Sequence, residues 1–271
     1  MIREAVNIPF YNRNLSAMFF YPNNESEKYP VVCKAHGLIS NAFEKEEELA
    51  TMLTEEGIAY FTFHFTGFYD SSGETTIQTQ LMNLDYIITY LTNHSKVDPK
   101  RIGLLGVSMG AAIAVCHASR DPRISSIVLQ APLFDFDFVV NYPEFTSMWE
   151  GLALTGLVRL PIDGIKERLV QEIKGNNPLN CINRICPRPI LIIAGENDTF
   201  IPLSGIKKLF EKAQSPKDFK LVQNADHNLT NYFARFETFS LIKEFFIDNL
   251  KRSNWLFKNI FAQLGEADLH I

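Results

Sequence analysis

Short apolar runs alternate with amphipathic segments along most of the chain. Residues 101–107 form a short apolar run without alternation, which is typical of a central parallel strand covered on both faces, and 124–131 and 189–195 are predicted to be further buried strands. Residues 75–94 instead carry apolar positions at helical spacing, and a further helix is predicted near 203–213. This repeated strand–helix order predicts an α/β fold with a mostly parallel central sheet and helices on both faces.

The rest of the chain predicts an antiparallel pair of strands at its start, followed by further strands and helices. Residues 2–9 and 15–21 predict two antiparallel strands joined by a turn at 12–14. Further strands are predicted at 30–36, 58–65 and 219–223, and further helices at 43–56, 109–119, 229–248 and 253–264. The helix over 229–248 is expected to bury one apolar face, formed by Leu229, Phe233, Phe236, Phe239, Ile242 and Phe246.

Residues 134–186 interrupt the strand–helix rhythm. The stretch is too long for a simple crossover, and structureless loops of that length are uncommon in compact domains. It is rich in aromatic residues and shows a helical pattern near 164–174. We therefore expect residues 1–271 to form a single domain in which 134–186 is an inserted lid over one edge of the sheet. The alternative is an ordinary pair of helices packed on the sheet, without a role in a site.

Composition and charge exclude several classes of protein. Hydrophobic residues make up 46% and charged residues 21%, which is ordinary for a globular domain and argues against a disordered, collagen-like or coiled-coil chain. The net charge is −5 and no long basic run is present, so nucleic acid is not an expected partner. No window reaches the roughly 18 consecutive apolar residues of a membrane span.

The four cysteines, Cys33, Cys116, Cys181 and Cys186, have no histidine or cysteine cluster around them that would complete a zinc site. We expect small, buried or half-buried thiols, with no metal and no cofactor. The opening residues, MIREAVNIPF, lack the basic region and apolar stretch of a signal peptide. These features predict a reducing, cytoplasmic setting.

The strongest chemical signal is the run Gly106-Val107-Ser108-Met109-Gly110, between a predicted strand and a predicted helix. A serine in such a turn adopts a strained backbone and projects its hydroxyl above the sheet, and glycines on either side let strand and helix approach closely. Ser108 is therefore the predicted nucleophile. The alternative is a glycine-rich turn with an idle serine.

A serine nucleophile needs a base, and the base needs a carboxylate to orient it. His227 follows the last predicted strand, in the position where open α/β sheets place functional loops. Asp198 follows the strand at 189–195 and is the predicted acid, with Glu196 and Asp226 as its rivals.

Two backbone amides are expected to hold the oxyanion of the tetrahedral intermediate. Met109 follows the nucleophile at a helix N-terminus, where amides lack partners within the helix. The second donor is predicted to be the Leu38 amide, in the loop His36-Gly37-Leu38 after the strand at 30–36. A plain turn is the alternative for that loop.

The serine turn, the order Ser…Asp…His and the His36-Gly37 loop together resemble the α/β-hydrolase superfamily over about residues 25–250. The segments 63–74 and 195–202 are similar to small microbial esterases of the cinnamoyl or feruloyl type, near the serine aminopeptidase-like and dienelactone hydrolase-like groups. The resemblance implies Ser108, Asp198 and His227 as the triad, Leu38 and Met109 as the oxyanion hole, and a lid after the sixth strand.

The predicted activity is hydrolysis of a small-molecule carboxylic ester through an acyl-Ser108 intermediate. The aromatic insertion favours hydroxycinnamoyl or short-to-medium acyl groups, with Tyr142, Trp149 and Phe200 as expected substrate contacts. The same triad serves amide or peptide hydrolases and thioesterases, and a non-catalytic binding protein of this fold is the alternative from another class. The apolar tail leaves two arrangements open, packing on its own domain or on a second copy in a homodimer.

Overall fold

The computed structural model describes residues 1–24, 28–38 and 41–251, and it contains an eight-stranded sheet. The long apolar runs of the sequence form its central strands, as predicted. The strands are Ile2–Phe10 (β1), Arg13–Tyr21 (β2), Tyr29–Ala35 (β3), Ala59–Phe63 (β4), Val97–Val107 (β5), Ile124–Gln130 (β6), Ile190–Gly195 (β7) and Lys217–Val222 (β8).

The sheet has the order β1-β2-β4-β3-β5-β6-β7-β8. Strand β2 is antiparallel to both of its neighbours, and β4, β3, β5, β6, β7 and β8 are parallel to one another. All the predicted strands are present, and the mostly parallel sheet is confirmed. Because the parallel strands share one direction, the loops that follow β3, β5, β7 and β8 leave the same edge of the sheet.

The helices cover both faces of this sheet. Their bounds are Glu46–Glu55 (α1), Ile77–Asn93 (α2), Met109–Ala118 (α3), Phe136–Val140 (α4), Phe145–Leu154 (α5), Ile165–Glu172 (α6), Pro178–Cys181 (α7), Leu203–Lys212 (α8) and Tyr232–Phe246 (α9), with a 3₁₀ turn at Ile182–Ile185 and a π turn at Ile247–Lys251. Among the described residues, no helix is both long enough and apolar enough to cross a lipid bilayer.

Neighbouring residues of the central strands point to opposite faces and enter two separate cores. Leu104 packs with the α2, α3 and α8 side of the sheet, whereas Leu105 packs with α1 and α9. Alternation of this kind follows from the two-residue period of a strand. It explains why β5 reads as a continuous apolar run, since both of its faces are buried.

The predicted apolar face of the last large helix is wrong in part. Phe233 and Phe236 are 80% and 50% exposed, and the buried stripe of α9 is instead Ala234, Thr238, Ile242 and Phe246. The Phe246 ring fills the space that a side chain on Gly103 of β5 would need. These four buried residues are each four positions apart and form one stripe that faces the sheet, and the exposed phenylalanines lie off this stripe.

Two boundaries also differ from the prediction. Strand β5 begins at Val97, before Asp98-Pro99, because Val97 pairs with Tyr29 ahead of an irregularity in the ladder that accommodates the proline. Strand β2 begins at Arg13, so the turn lies at 11–12. The predicted helix at 253–264 lies outside the described residues.

Residues 134–186, between β6 and β7, form the four short helices α4 to α7 and the 3₁₀ turn that follows them. The predicted helix near 164–174 is α6. Segment 157–159 returns to the loop after β4, where Phe68 and Val158 form an isolated antiparallel bridge. The insertion is therefore joined to the edge of the sheet at which the parallel strands end.

Candidate active site

Ser108 lies in the sharp turn between β5 and α3. Its φ and ψ are +53° and −121°, a region that residues with a side chain rarely occupy. The backbone is held there because the Ser108 amide donates to Gln130 at 3.0 Å and the Ser108 carbonyl accepts from Leu133 at 3.0 Å. The strained turn predicted from the sequence is confirmed.

The two glycines beside Ser108 are required by close packing. A Cβ on Gly106 would lie 2.5 Å from the Cα of Ala111, and one on Gly110 would lie 2.2 Å from the carbonyl oxygen of Ala35. Such distances are far inside van der Waals contact. The missing side chains allow α3 to begin directly behind the serine and beside the loop after β3.

His227 joins the serine to an aspartate that lies far away in the chain. Its Nε2 is 3.0 Å from Ser108 Oγ, and its Nδ1 is 2.8 Å from Asp198 Oδ2. The structure thus brings together the three residues that the sequence predicts as a triad. In this geometry the Nδ1–H donates to the carboxylate, which leaves Nε2 free to accept the serine proton.

The Asp198 carboxylate is almost completely buried, with its side chain 1% exposed. Burial raises the pKa of Asp198, but hydrogen bonds from His227 and from the amides of Ile201 and Phe200 outweigh this effect and lower it overall. The amides donate to Oδ1 at 3.0 and 2.9 Å. The carboxylate is therefore ionised and fixed in orientation beside the imidazole.

The rival carboxylates have other partners. Glu196 Oε2 accepts from the Asn224 amide at 3.1 Å, on the exposed side of the loop. Asp226 accepts from the Thr230 amide at 2.8 Å and turns away from its neighbour His227. The local geometry therefore favours Asp198, which alone of these three is hydrogen-bonded to the imidazole.

A close approach between two loops places His227 over Asp198. Gly195, at the end of β7, faces the Ala225 carbonyl so closely that a Cβ would lie 2.4 Å from its oxygen. The Asn197 amide donates to the same carbonyl at 2.9 Å. The acid loop and the histidine loop are therefore held together by backbone contact.

The loop that carries Leu38 is held by a neutral histidine. The His36 ring is buried, with Nδ1 2.7 Å from the Gly37 carbonyl, and Nε2 accepts from the Phe65 amide at 3.1 Å. Burial lowers the pKa of His36 to about 3, so the ring is uncharged near neutral pH. Because Gly110 lies against Ala35 and His36, this loop sits beside the N-terminus of α3, where Met109 begins.

His64, which the sequence assigns to a structural role, supports the same region from the other side. Its Nε2 accepts from the Ala42 amide at 3.0 Å, and its ring stacks on Tyr69 at 4.8 Å. Burial lowers the pKa of His64 to about 4. The residue therefore contributes packing and one hydrogen bond, which agrees with that prediction.

Trp149, an expected substrate contact, lies beside the nucleophile turn. It is 2% exposed and lines a cleft together with Met109, Ile77 and residues of α6. Its indole Nε1 has no hydrogen-bond partner within the described chain. The lining of this cleft thus includes Met109, whose amide is a predicted oxyanion donor.

The other two expected contacts differ from each other. Phe200 is 66% exposed, and its ring centroid lies 5.2 Å from that of His227, so it borders the triad. Tyr142 is 46% exposed in the turn before α5, and it is not among the described residues that line the cleft.

Arg159 is a residue that sequence reasoning did not single out. It lies in the insertion, and its guanidinium donates to the carbonyls of Tyr69, Ser71 and Gly73 in the loop after β4. No sequence signal identifies it, because all three acceptors are backbone groups 86 to 90 positions away. The contact fixes the insertion beside the cleft.

One group of described side chains has the composition of a metal site. Asp85, His117 and Asp121 place one ligand atom each within 4.8 Å of one another. The Arg123 guanidinium already bridges the two carboxylates, at 2.7 Å from each. The group is therefore an ion-pair cluster that is neutralised by an arginine, away from Ser108.

Comparison with known proteins identifies the family to which the chain belongs. The model of the serine aminopeptidase S33 family matches residues 26–183, which is more than half of the chain. An uncharacterized protein of Mycobacterium tuberculosis is 27% identical over 212 residues, covering 78% of this chain and 67% of that protein. A candidate esterase/lipase of Mycoplasma pneumoniae is 26% identical over 222 residues, covering 72% of this chain and 81% of that protein.

Solved structures show the same architecture at low sequence identity. Est1E from Butyrivibrio proteoclasticus, solved with ferulic acid bound, superposes with a TM-score of 0.72 and 18% identity, over 91% of this chain and all of that chain. The eight-stranded sheet and the family match confirm the resemblance seen in the sequence. The chain therefore belongs to the serine aminopeptidase S33 family and has the α/β-hydrolase fold.

Proposed function

We propose that this protein is a serine hydrolase that cleaves carboxylic esters through an acyl-Ser108 intermediate. The observation that carries the proposal is the continuous hydrogen-bonded path from Ser108 Oγ through His227 to the buried Asp198 carboxylate, with contacts of 3.0 and 2.8 Å. A serine hydroxyl is a weak nucleophile by itself, and this arrangement supplies the base that activates it.

Each group has one role in the reaction. His227 Nε2 takes the proton of Ser108 as Oγ attacks the ester carbonyl, and the amides of Leu38 and Met109 donate to the developing oxyanion. His227 then gives the proton to the departing alcohol. Water enters, loses a proton to the same nitrogen and releases the acid. Loss of one oxyanion donor typically lowers turnover by about 10²–10³.

The acyl group is proposed to lie in the cleft between Met109, Trp149 and α6. Ile77, Leu160 and Leu169 give this lining apolar surface, and the polar groups of Gln80 and Thr75 are hydrogen-bonded to each other. Apolar surface of this kind suits a hydroxycinnamoyl or medium-length acyl chain, and ferulic acid is the molecule bound to Est1E. Residues 134–186 act as the lid in this proposal, with Phe200 and Tyr142 as outer substrate contacts.

An ester is proposed as the substrate rather than a peptide with a free amino terminus, and amide and thioester hydrolysis are alternatives that the substrate panel tests. The family description names an aminopeptidase, and such an enzyme needs a carboxylate for the substrate's ammonium group. Glu172 is the one carboxylate in the described lining of the cleft, and its Oε2 accepts from the Gln78 amide at 3.3 Å.

The four cysteines are free thiols, which supports a reducing, cytoplasmic setting.

Covalent labelling tests the nucleophile directly. A fluorophosphonate should add to Ser108, as located by peptide mapping, and the Ser108→Ala variant should take up no label and lose turnover. A panel of p-nitrophenyl esters, hydroxycinnamate methyl esters, acyl-CoA thioesters and aminoacyl anilides then ranks substrate classes by kcat/KM. Labelling of a different serine would reject the proposed mechanism, and a higher kcat/KM for anilides would reject the ester assignment.

A further inference from the structure

Two of the four cysteines meet outside the active site. Cys116 lies in α3, the helix that begins after the nucleophile, and Cys181 is the last residue of α7 in the insertion. The two helices pack against each other, and the two sulfurs lie against consecutive backbone carbonyls, Cys116 Sγ against that of Asn176 and Cys181 Sγ against that of Gly175. They are separated by 65 positions in the sequence, so only the fold brings them together.

The surroundings of this pair are cationic. Arg184 Nη2 lies 3.0 Å from Cys181 Sγ, and Arg120 Nε donates to the Cys116 carbonyl at 2.9 Å. Cys116 Sγ is 2.9 Å from the Asn176 carbonyl oxygen. The neighbouring Cys116 thiol lowers the pKa of Cys181 to about 6, and the arginines and Ser119 add to this effect against the opposing effect of burial. Cys181 is therefore mainly a thiolate near neutral pH, which is the reactive form of cysteine.

The two remaining cysteines lack this environment. Cys33 is buried within β3, where burial raises the pKa of its thiol above the ordinary range. Cys186 is more exposed than the other three, its sulfur lies 3.2 Å from the Ser215 carbonyl oxygen, and no arginine contact to that sulfur is seen among the described residues. Exposure and electrostatic activation therefore select different cysteines, which makes the two effects separable by experiment.

We propose that Cys116 and Cys181 form a dithiol that hydrogen peroxide oxidises to an intramolecular disulfide. The Cys181 thiolate attacks one peroxide oxygen, the O–O bond breaks, and Cys181 sulfenic acid and hydroxide form. The Cys116 sulfur then attacks the Cys181 sulfur, the S–S bond forms and the S–O bond breaks, and the thiol proton leaves with the hydroxyl group as water. Peroxide is the oxidant and the two thiols supply both electrons.

The Arg184 guanidinium lies against the Cys181 sulfur, at 3.0 Å. Both cysteines are fully buried, while Arg120 and Arg184 are exposed residues. A change of side-chain rotamer at these long surface residues opens the way for a molecule as small as peroxide without unfolding α3 or α7. Arginine rotamers at exposed positions exchange on the picosecond-to-nanosecond scale.

The disulfide would connect the nucleophile helix to the last helix of the insertion. The segment 134–186 is already fixed to the loop after β4 by Arg159. A second, covalent attachment at Cys181 would confine the intervening residues 160–180, including α6, which forms one wall of the cleft. Oxidation is therefore expected to restrict the cleft, although the redox chemistry itself does not depend on the proposed hydrolase function.

Mass spectrometry of the full chain tests the proposal. The reduced protein is treated with a small excess of hydrogen peroxide near pH 7, alkylated and digested under non-reducing conditions. The expected product is a peptide pair joined through Cys116 and Cys181, with the mass of two hydrogen atoms lost, while Cys33 and Cys186 are recovered alkylated. Oxidation of Cys186 first, or an intermolecular disulfide, would overturn the proposal.

Three variants separate activation from burial. In Cys116→Ser the reaction should stop at a sulfenic acid on Cys181 that dimedone traps, and in Cys186→Ser the intramolecular disulfide should form at the wild-type rate. Arg184→Gln should slow oxidation by about fivefold or more, because it removes a positive charge beside the thiolate. An unchanged rate in Arg184→Gln together with unchanged circular dichroism would refute the activation mechanism. Fluorophosphonate labelling of Ser108 in the reduced protein reports separately on the hydrolase proposal.

Discussion

The substitution Asp198→Asn tests the proposed mechanism at its most specific point. The amides of Phe200 and Ile201 donate to Oδ1 of Asp198, so the oxygen of the new amide is expected to stay in that position. Its NH₂ group then faces His227 Nδ1, which must accept a hydrogen bond instead of donating one. The imidazole proton moves to Nε2, the atom that lies 3.0 Å from Ser108 Oγ, and the ring no longer acts as a base.

The size of the effect follows from this change of tautomer. In the Ser-His-Asp arrangement the loss is about 10⁴ in kcat, with geometry preserved. Such a factor corresponds to about 5.5 kcal/mol of transition-state stabilisation. Binding of substrate in the cleft is unaffected, so KM should change little. The assay is p-nitrophenyl butyrate hydrolysis under saturating substrate, with active sites counted by fluorophosphonate titration of the parent enzyme.

Two matched variants provide the control. Glu196→Gln and Asp226→Asn remove the rival carboxylates, whose partners are the amides of Asn224 and Thr230. Both variants should retain kcat within about threefold, since neither carboxylate contacts the imidazole. The reasoning is refuted if Asp198→Asn keeps more than a tenth of wild-type kcat while its circular dichroism is unchanged, or if either control loses as much activity as Asp198→Asn.

Three further predictions concern stability and the loops around the site. Gly110→Ala should lower both the melting temperature and kcat, because the new Cβ would lie 2.2 Å from a backbone oxygen. Gly151→Ala places its Cβ where nothing lies within 4 Å, so it should raise the free energy of unfolding by about 0.5–1 kcal/mol. Urea unfolding of both variants checks these two results. The pKa of His36 is about 3 in the folded protein and near 6.5 in the unfolded chain, so only the unfolded chain binds a proton between these pH values. The free energy of unfolding should therefore fall as pH decreases through this window, by up to about 1.4 kcal/mol per pH unit. A His36→Gln variant should lack this part of the pH dependence, and a variant that keeps the wild-type slope contradicts the prediction. Arg159→Gln removes charged donors to three backbone carbonyls. The variant should show a rise in KM that is larger than its fall in kcat, together with faster proteolysis within 141–157. A KM and a proteolysis rate identical to those of the wild type would show that the arginine does not hold the insertion.

The amino-acid sequence predicts the fold because its signals are local. The segments predicted as buried strands at 101–107, 124–131 and 189–195 each lie in a parallel strand of the sheet, and Gly106 and Gly110 were identified because strand and helix must approach closely there. The order of serine, aspartate and histidine at the ends of strands likewise predicted which side chains share one edge. Strand ends of a parallel sheet converge by topology, so this inference needed no coordinates.

Other features depended on packing between distant parts of the chain. The sequence gives α9 several phenylalanines, but the position of α1 and the gap at Gly103 decided that Ile242 and Phe246 are buried while Phe233 is exposed. Arg159 binds backbone carbonyls, which carry no residue-type signal at all.

What the sequence determined by itself was the type and order of the elements, together with the residues that the strand ends carry. Only the tertiary structure decided which carboxylate faces His227, which thiols meet, and which aromatic side chain lies beside the nucleophile. The reason is physical: periodicity and turn chemistry act over a few residues, whereas a hydrogen bond of 2.8 Å between Asp198 and His227 depends on how two loops pack. That packing is fixed by contacts such as Gly195 against Ala225, which are set by the whole sheet.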